Sequence, residues 1–219
     1  MTTSLELDRA STSAGAIAEY EAFADLVASL DAREWATPTR CEGFDVCDVA
    51  GHVIGLAEDV AKGVPGTRNA EEEAASVRSD PPAQAAARLR AALEPIRALL
   101  SAVDDAAWNG PSGVPDLTLG DGVLLIWYDA YVHADDIRAA IGRESARGDG
   151  LNASIVYLVG QLSARGYGPV TLELDGMPQR AIGTGGSTVT GDALAFVLAA
   201  TGRTAPEPLG LDASVNIYA

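Results

Sequence analysis

Residues 127–142, WYDAYVHADDIRAAIG, have the apolar spacing of a helix but place polar side chains where core residues are expected. Asp129, His133 and Asp136 occupy positions i, i+4 and i+7, which share one face of a helix. A soluble helix usually fills such a face with aliphatic residues. Polar groups buried in register must be satisfied by partners inside the fold, so this helix points to a polar site within a core.

The same helical spacing recurs in other segments of the first two thirds of the chain. We predict four helices: residues 14–30, about 46–60 with Asp45 as N-cap and Asp48 closing a capping box, 83–108 with a bend near Pro95, and from about Leu119 to just before Gly142. Residues 63–82 are rich in Gly, Pro and charge and predict a long surface connection with room for one helical turn. A four-helix bundle buries four such apolar stripes.

The pattern changes near residue 148. A helix is expected over residues 151–166, and Val170, Leu172 and Leu174 then alternate with polar residues as in a strand, with residues 179–183 as its expected partner. Residues 184–203 predict a turn, a short strand and a helix. The sequence therefore predicts an α+β protein, with a four-helix bundle over residues 1–147 and a small α/β domain over residues 148–219.

Composition limits the classes of partner. Lys and Arg total 15 against 31 Asp and Glu in 219 residues, a formal charge of −16, which disfavours nucleic acid or an anionic membrane as the main partner. No apolar run approaches the ~18 residues of a membrane span, and the N-terminal sequence lacks a signal-peptide pattern. We expect a cytoplasmic monomer or simple dimer that acts on a small molecule. Cys41 and Cys47 are expected to be reduced thiols rather than a disulfide framework.

The chain has only two histidines, His52 and His133, and both fall on inward faces of predicted helices. Asp129 and His133 form D-x-x-x-H, whose spacing lets both side chains reach one point. With His52 from a second helix, these residues would give a metal two nitrogens and one oxygen. Such an open three-ligand set is typical of catalytic zinc, although iron, nickel or manganese also fit. The alternative is a hydrogen-bonded Asp129–His133 pair in an ordinary core.

Two further residues are candidates for a place near this set. Cys47 precedes His52 by five residues and lies roughly 140° around the helix, so it is expected to point elsewhere. Asp136 has two interpretations. It could accept a hydrogen bond or act as general base beside the metal, or it could form a salt bridge with Arg138 or Arg143.

Three motifs resemble the mycothiol-dependent maleylpyruvate isomerase family, and the resemblance runs over most of the chain. Residues 35–53, WATPTRCEGFDVCDVAGHV, resemble the stretch that leads to the family's first histidine ligand, with Phe44 in place of the usual tryptophan. Residues 129–142 resemble its second motif, in which typical members have Glu at the position of Asp129. Residues 187–203, STVTGDALAFVLAATGR, are similar to its C-terminal motif, which ends at Arg203.

The resemblance implies a DinB-like metal-binding bundle with zinc at His52, Asp129 and His133, and mycothiol as cosubstrate. In the family's isomerase, a thiolate adds to a cis double bond, the resulting single bond rotates, and elimination gives the trans product; other members are thought to transfer the thiol to electrophiles. Arg203 would bind a carboxylate of the substrate or thiol; the alternative is an arginine that faces water at the C-terminal end of a helix. Three alternatives stay open: a metal-dependent hydrolase, a thiol-independent isomerase or cyclase, and a non-catalytic protein that binds a small molecule or metal.

Overall fold

The computed structural model describes residues 7–219, which form two compact units. The regular elements of Leu7–Ala146 are all helices, whereas Arg147–Ala219 combines helices with a three-stranded sheet. The fold class is therefore α+β, as the sequence predicts. Between residues 7 and 219, no helix combines the length and apolar character that a bilayer span requires.

Four long helices of the first unit pack as a bundle, and three short helices lie in its connections. In chain order the helices are α1 (Arg9–Ala28), α2 (Ala32–Trp35), α3 (Val46–Ala61), α4 (Ala70–Ala75), α5 (Pro82–Ala102), α6 (Asp105–Trp108) and α7 (Leu119–Ala140). Helices α1 and α3 each pack against both α5 and α7. The interior is apolar and includes the fully buried Val27, Ile54, Leu89 and Ile137. The predicted four-helix bundle is confirmed.

Three of the four long helices, α1, α3 and α7, begin at side-chain caps, whereas α5 begins without one. Asp45 and Asp48 form the predicted capping box at the start of α3. Helix α1 begins five residues before the predicted start, at Arg9, because the side chain of Asp8 accepts a hydrogen bond from the backbone N–H of Ser11.

The third predicted helix was too long. Helix α5 continues past Pro95 but ends at Ala102, because Val103 adopts an extended backbone. Asp104 then caps the separate short helix α6. Local capping thus divides an apolar pattern that looks continuous in the sequence.

The connection between α3 and α5 contains the helical turn that the sequence allowed for, but this turn packs against α3 instead of lying only at the surface. The turn is α4, which begins with a capping box formed by Asn69 and Glu72. Glycine at position 55 of α3 allows this approach, because a Cβ there would lie only 2.9 Å from the Cα of Glu73. Glu73 is consequently buried against α3.

The second unit is built on a small mixed sheet. Its elements are α8 (Asp149–Ala164), β1 (Val170–Leu174), β2 (Arg180–Ile182), β3 (Ser187–Gly191) and α9 (Ala193–Ala200). The central strand β1 pairs antiparallel with β2 and parallel with β3. Val170, Leu172 and Leu174 are buried on one face, as their alternation predicts. Helix α8 packs against α9 and β2.

Candidate metal centre

The structure brings together the three residues that the sequence predicts as metal ligands. Helix α3 supplies His52, and α7 supplies Asp129 and His133. One nitrogen or oxygen atom from each residue lies within 4.8 Å of the corresponding atoms of the other two. The imidazole rings meet edge to face, with 5.0 Å between their centroids.

The distances within this group suit a shared ion better than direct hydrogen bonds. Asp129 Oδ2 is 3.6 Å from His52 Nε2, and Asp129 Oδ1 is 3.5 Å from His133 Nε2. Hydrogen bonds between such atoms are shorter, usually about 2.7–3.2 Å. Ligands that bind zinc at about 2.0–2.1 Å in a tetrahedron are separated by about 3.3 Å. The donor set and its spacing therefore fit a divalent metal.

A buried carboxylate holds the outer nitrogen of His52. Glu73 Oε2 lies 2.6 Å from His52 Nδ1, and the side chain of Glu73 is only 4% exposed. Because a carboxylate accepts, this contact places a hydrogen on Nδ1 and, in the neutral ring, leaves the lone pair on Nε2, which faces Asp129. Glu73 was not among the residues predicted for the site. One feature of the sequence could have indicated that Glu73 is buried: the apolar residues Ala74 and Val77 follow it, and both are buried in the structure.

Asp136 holds His133 in the same way. Its Oδ2 accepts from His133 Nδ1 at 2.9 Å and from Cys41 Sγ at 3.1 Å, while Oδ1 accepts from Arg40 Nε at 2.6 Å. Its side chain is fully buried. The hydrogen-bonding interpretation of Asp136 therefore matches the geometry. A salt bridge also exists, but to Arg40 rather than to Arg138 or Arg143, which was not expected.

Arg40 and Cys41 come from a short loop before α3, and the sequence analysis assigned neither of them to the site. The Arg40 guanidinium also binds Asp135, with 2.6 Å between Nη2 and Oδ2. The loop is closed by a backbone hydrogen bond from Thr39 to Phe44 and contains Gly43 at φ +81°, a conformation that favours glycine. This closed turn directs two side chains onto a carboxylate that lies about 95 residues further along the chain.

The two cysteines differ in position, and neither is in a disulfide. Cys41 belongs to a group of potential ligand atoms with His133 and Asp136, whereas Cys47 belongs to no such group among residues 7–219. Cys47 is buried, and this burial, with the nearby acids Asp45 and Asp48, raises the pKa of its thiol to about 11. Cys47 is therefore not placed to share a metal with His52, in agreement with the prediction.

The centre carries an excess of negative charge on the side of His52. Burial by itself lowers the pKa of His52, but contacts with Asp129 and Glu73 outweigh burial and raise the pKa to about 10. In the metal-free protein at neutral pH, His52 therefore carries a proton that balances these two carboxylates. A divalent cation would supply the same balance after displacing that proton.

Arg203 lies in the second unit, just after α9. Its Nη1 is 3.5 Å from the carbonyl oxygen of Thr201, and its side chain lines a cavity of about 370 Å³ together with Thr204, Pro206 and Asn216. The carboxylate-binding role of Arg203 stays a prediction.

A helical bundle that directs two histidines and one carboxylate to a common point defines a candidate metalloprotein of the bundle class. The sequence model of the mycothiol maleylpyruvate isomerase N-terminal domain matches residues 17–138, more than half of the chain. The chain therefore belongs to the mycothiol maleylpyruvate isomerase family.

Solved structures agree with this assignment at the level of the fold. The chain is similar to a crystal structure of the mycothiol-dependent maleylpyruvate isomerase, with a TM-score of 0.61, 17% sequence identity and 93% of each chain covered. A crystal structure of the H52A mutant of a mycothiol-dependent maleylpyruvate isomerase gives a TM-score of 0.60 at the same identity and coverage. No curated protein matches the sequence.

The raised pKa of His52 predicts how the stability of the metal-free protein depends on pH. A group whose pKa is higher in the folded state stabilises the fold fully below its unfolded pKa of about 6.5, and this contribution is lost as the pH rises toward its folded pKa. Between pH 7 and 9, we expect the free energy of unfolding to fall by on the order of 2 kcal/mol from this group.

Urea denaturation of chelator-treated protein across this pH range measures the effect. His52→Asn keeps an amide N–H near the Nδ1 position but cannot titrate, so its stability should vary less with pH. Equal slopes in the wild type and in His52→Asn would contradict the assigned protonation of His52.

Proposed function

We propose that the protein is a metal-dependent enzyme, with zinc as the metal, that activates mycothiol for cis–trans isomerisation of, or transfer to, a small electrophile. His52, Asp129 and His133 would hold the metal. The observation that carries this proposal is the convergence of these three side chains, with each histidine fixed through Nδ1 by a separate buried carboxylate. If Asp129 and His133 were only a hydrogen-bonded pair in an ordinary core, Glu73 and Asp136 would not be needed to hold the Nδ1 atoms of the two histidines.

The residues around the ligands have separable roles in this proposal. Glu73 and Asp136 act as positioning residues, because their hydrogen bonds fix the ring orientation and keep each Nε2 available as a ligand atom. Asp136 already accepts from His133, Cys41 and Arg40, so holding His133 suits it better than taking a proton as general base. Arg40 pairs with Asp136 and Asp135 and offsets one of their two charges, while Asp129 and Glu73 would attract the metal.

The choice of a thiol rests on the family. A divalent metal at this centre would lower the pKa of a bound thiol, so that thiolate is present at neutral pH, where a free thiol with a pKa of about 8.5 is mostly protonated. The exposed fractions of His52, Asp129 and His133, between 14% and 18%, show that the group is reachable from solvent without being open to it. We further propose that Arg203 binds a carboxylate of the substrate or of the thiol.

Metal content is the first expected result. Wild-type protein purified without an affinity tag should contain about one zinc per chain, since His52, Asp129 and His133 form a single three-ligand set. Elemental mass spectrometry should show that Asp129→Ala and His133→Ala lose this metal, while circular dichroism shows that both variants stay folded. Wild-type protein that stays empty after incubation with zinc would identify the polar face of α7 as a core network and reject the enzyme proposal.

Glu73 offers a test of positioning with a matched control on the same helix. Glu73→Gln and Glu71→Gln both remove one negative charge from α4, but only Glu73 contacts His52, while Glu71 is exposed. We expect Glu73→Gln to weaken zinc binding by roughly tenfold or more and Glu71→Gln to leave it nearly unchanged. Competition with a chromophoric chelator measures both affinities. Equal affinities in the two variants would remove Glu73 from the site.

The requirement for thiol distinguishes the proposed function from its alternatives. Zinc-loaded protein should convert maleylpyruvate to its trans isomer, or a bimane electrophile to a thiol conjugate, only when mycothiol is present. Chelator-treated protein is the control, and chromatography detects both products. Turnover without mycothiol would instead indicate a thiol-independent metal enzyme. Tight binding of zinc and mycothiol without either product would favour a non-catalytic binding protein.

A further inference from the structure

A buried tyrosine hydroxyl lies beside the candidate metal centre without a hydrogen-bond partner. Tyr20 of α1 is only 1% exposed, and its hydroxyl contacts no donor or acceptor among the described residues 7–219. Most buried polar groups in proteins are paired, so an unpaired hydroxyl in a core needs an explanation. Burial raises the pKa of Tyr20 well above its usual value, and the charges of Asp129 and Glu73 raise it further. The phenol is therefore a neutral donor close to two carboxylates.

The packing of α1 on α7 places Tyr20 at the level of the ligands. At one end, Gly15 lies against Trp127, because a Cβ at position 15 would be 1.9 Å from the indole ring. At the other end, Arg143 donates a hydrogen bond to the hydroxyl of Ser29 at 2.8 Å. The two helices thus run in the same direction. Tyr20 lies five residues after Gly15, and Asp129 and His133 lie two and six residues after Trp127, so Tyr20 is at about the height of these ligands along the paired helices. Helix α1 therefore lines the centre together with α3 and α7.

The burial of the hydroxyl identifies which side of the centre it serves. A small molecule that enters from solvent reaches the exposed side of His52 and His133, whereas the hydroxyl of Tyr20 has no solvent-accessible surface. Any acceptor for the hydroxyl of Tyr20 must therefore be a protein group on the inner, solvent-excluded side of the centre. Glu73 already pairs with His52, and carboxylates that bind metals are commonly held by hydrogen bonds from neighbouring side chains.

We propose that Tyr20 is a positioning residue that donates a hydrogen bond to the carboxylate of Asp129 when Asp129 binds the metal. The inference rests on the metal site of the proposed function and extends it, because it assigns α1 a part in that site. A hydrogen bond from this phenol would limit the orientations of Asp129 and hold its carboxylate toward the metal.

Tyr20→Phe tests the inference, because it removes only the hydroxyl. Without metal, the variant should unfold at the same or a higher urea concentration than the wild type, because an unpaired buried hydroxyl contributes no favourable contact. Zinc affinity, measured with zinc alone by competition with a chromophoric chelator, should fall roughly tenfold. The absorption bands of bound cobalt should also shift, since they report the geometry of the ligands.

Tyr131→Phe is the matched control. Tyr131 is equally buried on α7, but its hydroxyl donates to the carbonyl oxygen of Ala146 at 2.7 Å. This variant should lose stability without metal and keep its zinc affinity.

The outcomes separate the two proposals. Wild-type protein that binds no zinc would overturn the proposed function and this inference with it. Wild-type protein that binds zinc, with Tyr20→Phe unchanged in affinity and cobalt spectrum, would overturn the inference alone. A loss of mycothiol affinity with unchanged zinc affinity would also overturn it, because the hydroxyl would then serve the thiol rather than Asp129.

Discussion

The need to satisfy two partly buried imidazoles between α3 and α7 organises the first unit. Each ring presents Nε2 toward Asp129 and has its Nδ1 held by a buried acid, Glu73 for His52 and Asp136 for His133. A polar group in a core is expensive unless it is paired, and each partner must itself be satisfied. Hydrogen bonds accordingly extend outward from the two rings through these acids to the loop before α3.

The connections of the bundle follow from this requirement. The turn before α3 supplies Arg40 and Cys41, which complete the hydrogen bonds of Asp136. The α3–α5 connection forms α4, which carries Glu73 against the bundle at the close approach of Gly55. These segments would be free to vary if they only joined helices. Their caps, tight turns and buried side chains instead form the outer layer of the site.

The distribution of charge gives the centre its chemical preference. Arg40 pairs with the two acids on the His133 side and offsets one of their two charges, whereas Glu73 contacts His52 and Asp129 lies between the two imidazoles. This asymmetry creates a place for a cation between two neutral nitrogen donors and one oxygen donor. Asp129 supplies the oxygen donor, and its carboxylate lies 3.6 Å from His52 Nε2 and 3.5 Å from His133 Nε2.

The sequence by itself determined the four amphipathic helices, the capping box at Asp45 and the inward positions of His52, Asp129 and His133, because helical periodicity and capping are local properties. It also determined the alternating strand around Leu172. Only the tertiary structure decided that Arg40, Cys41 and Glu73 join the site, and that Arg40 rather than Arg138 or Arg143 pairs with Asp136. Those contacts join loops to helices far away in the chain. Helical periodicity is a local property, so it cannot predict which charged loop residue will pair with a buried carboxylate about 95 residues away.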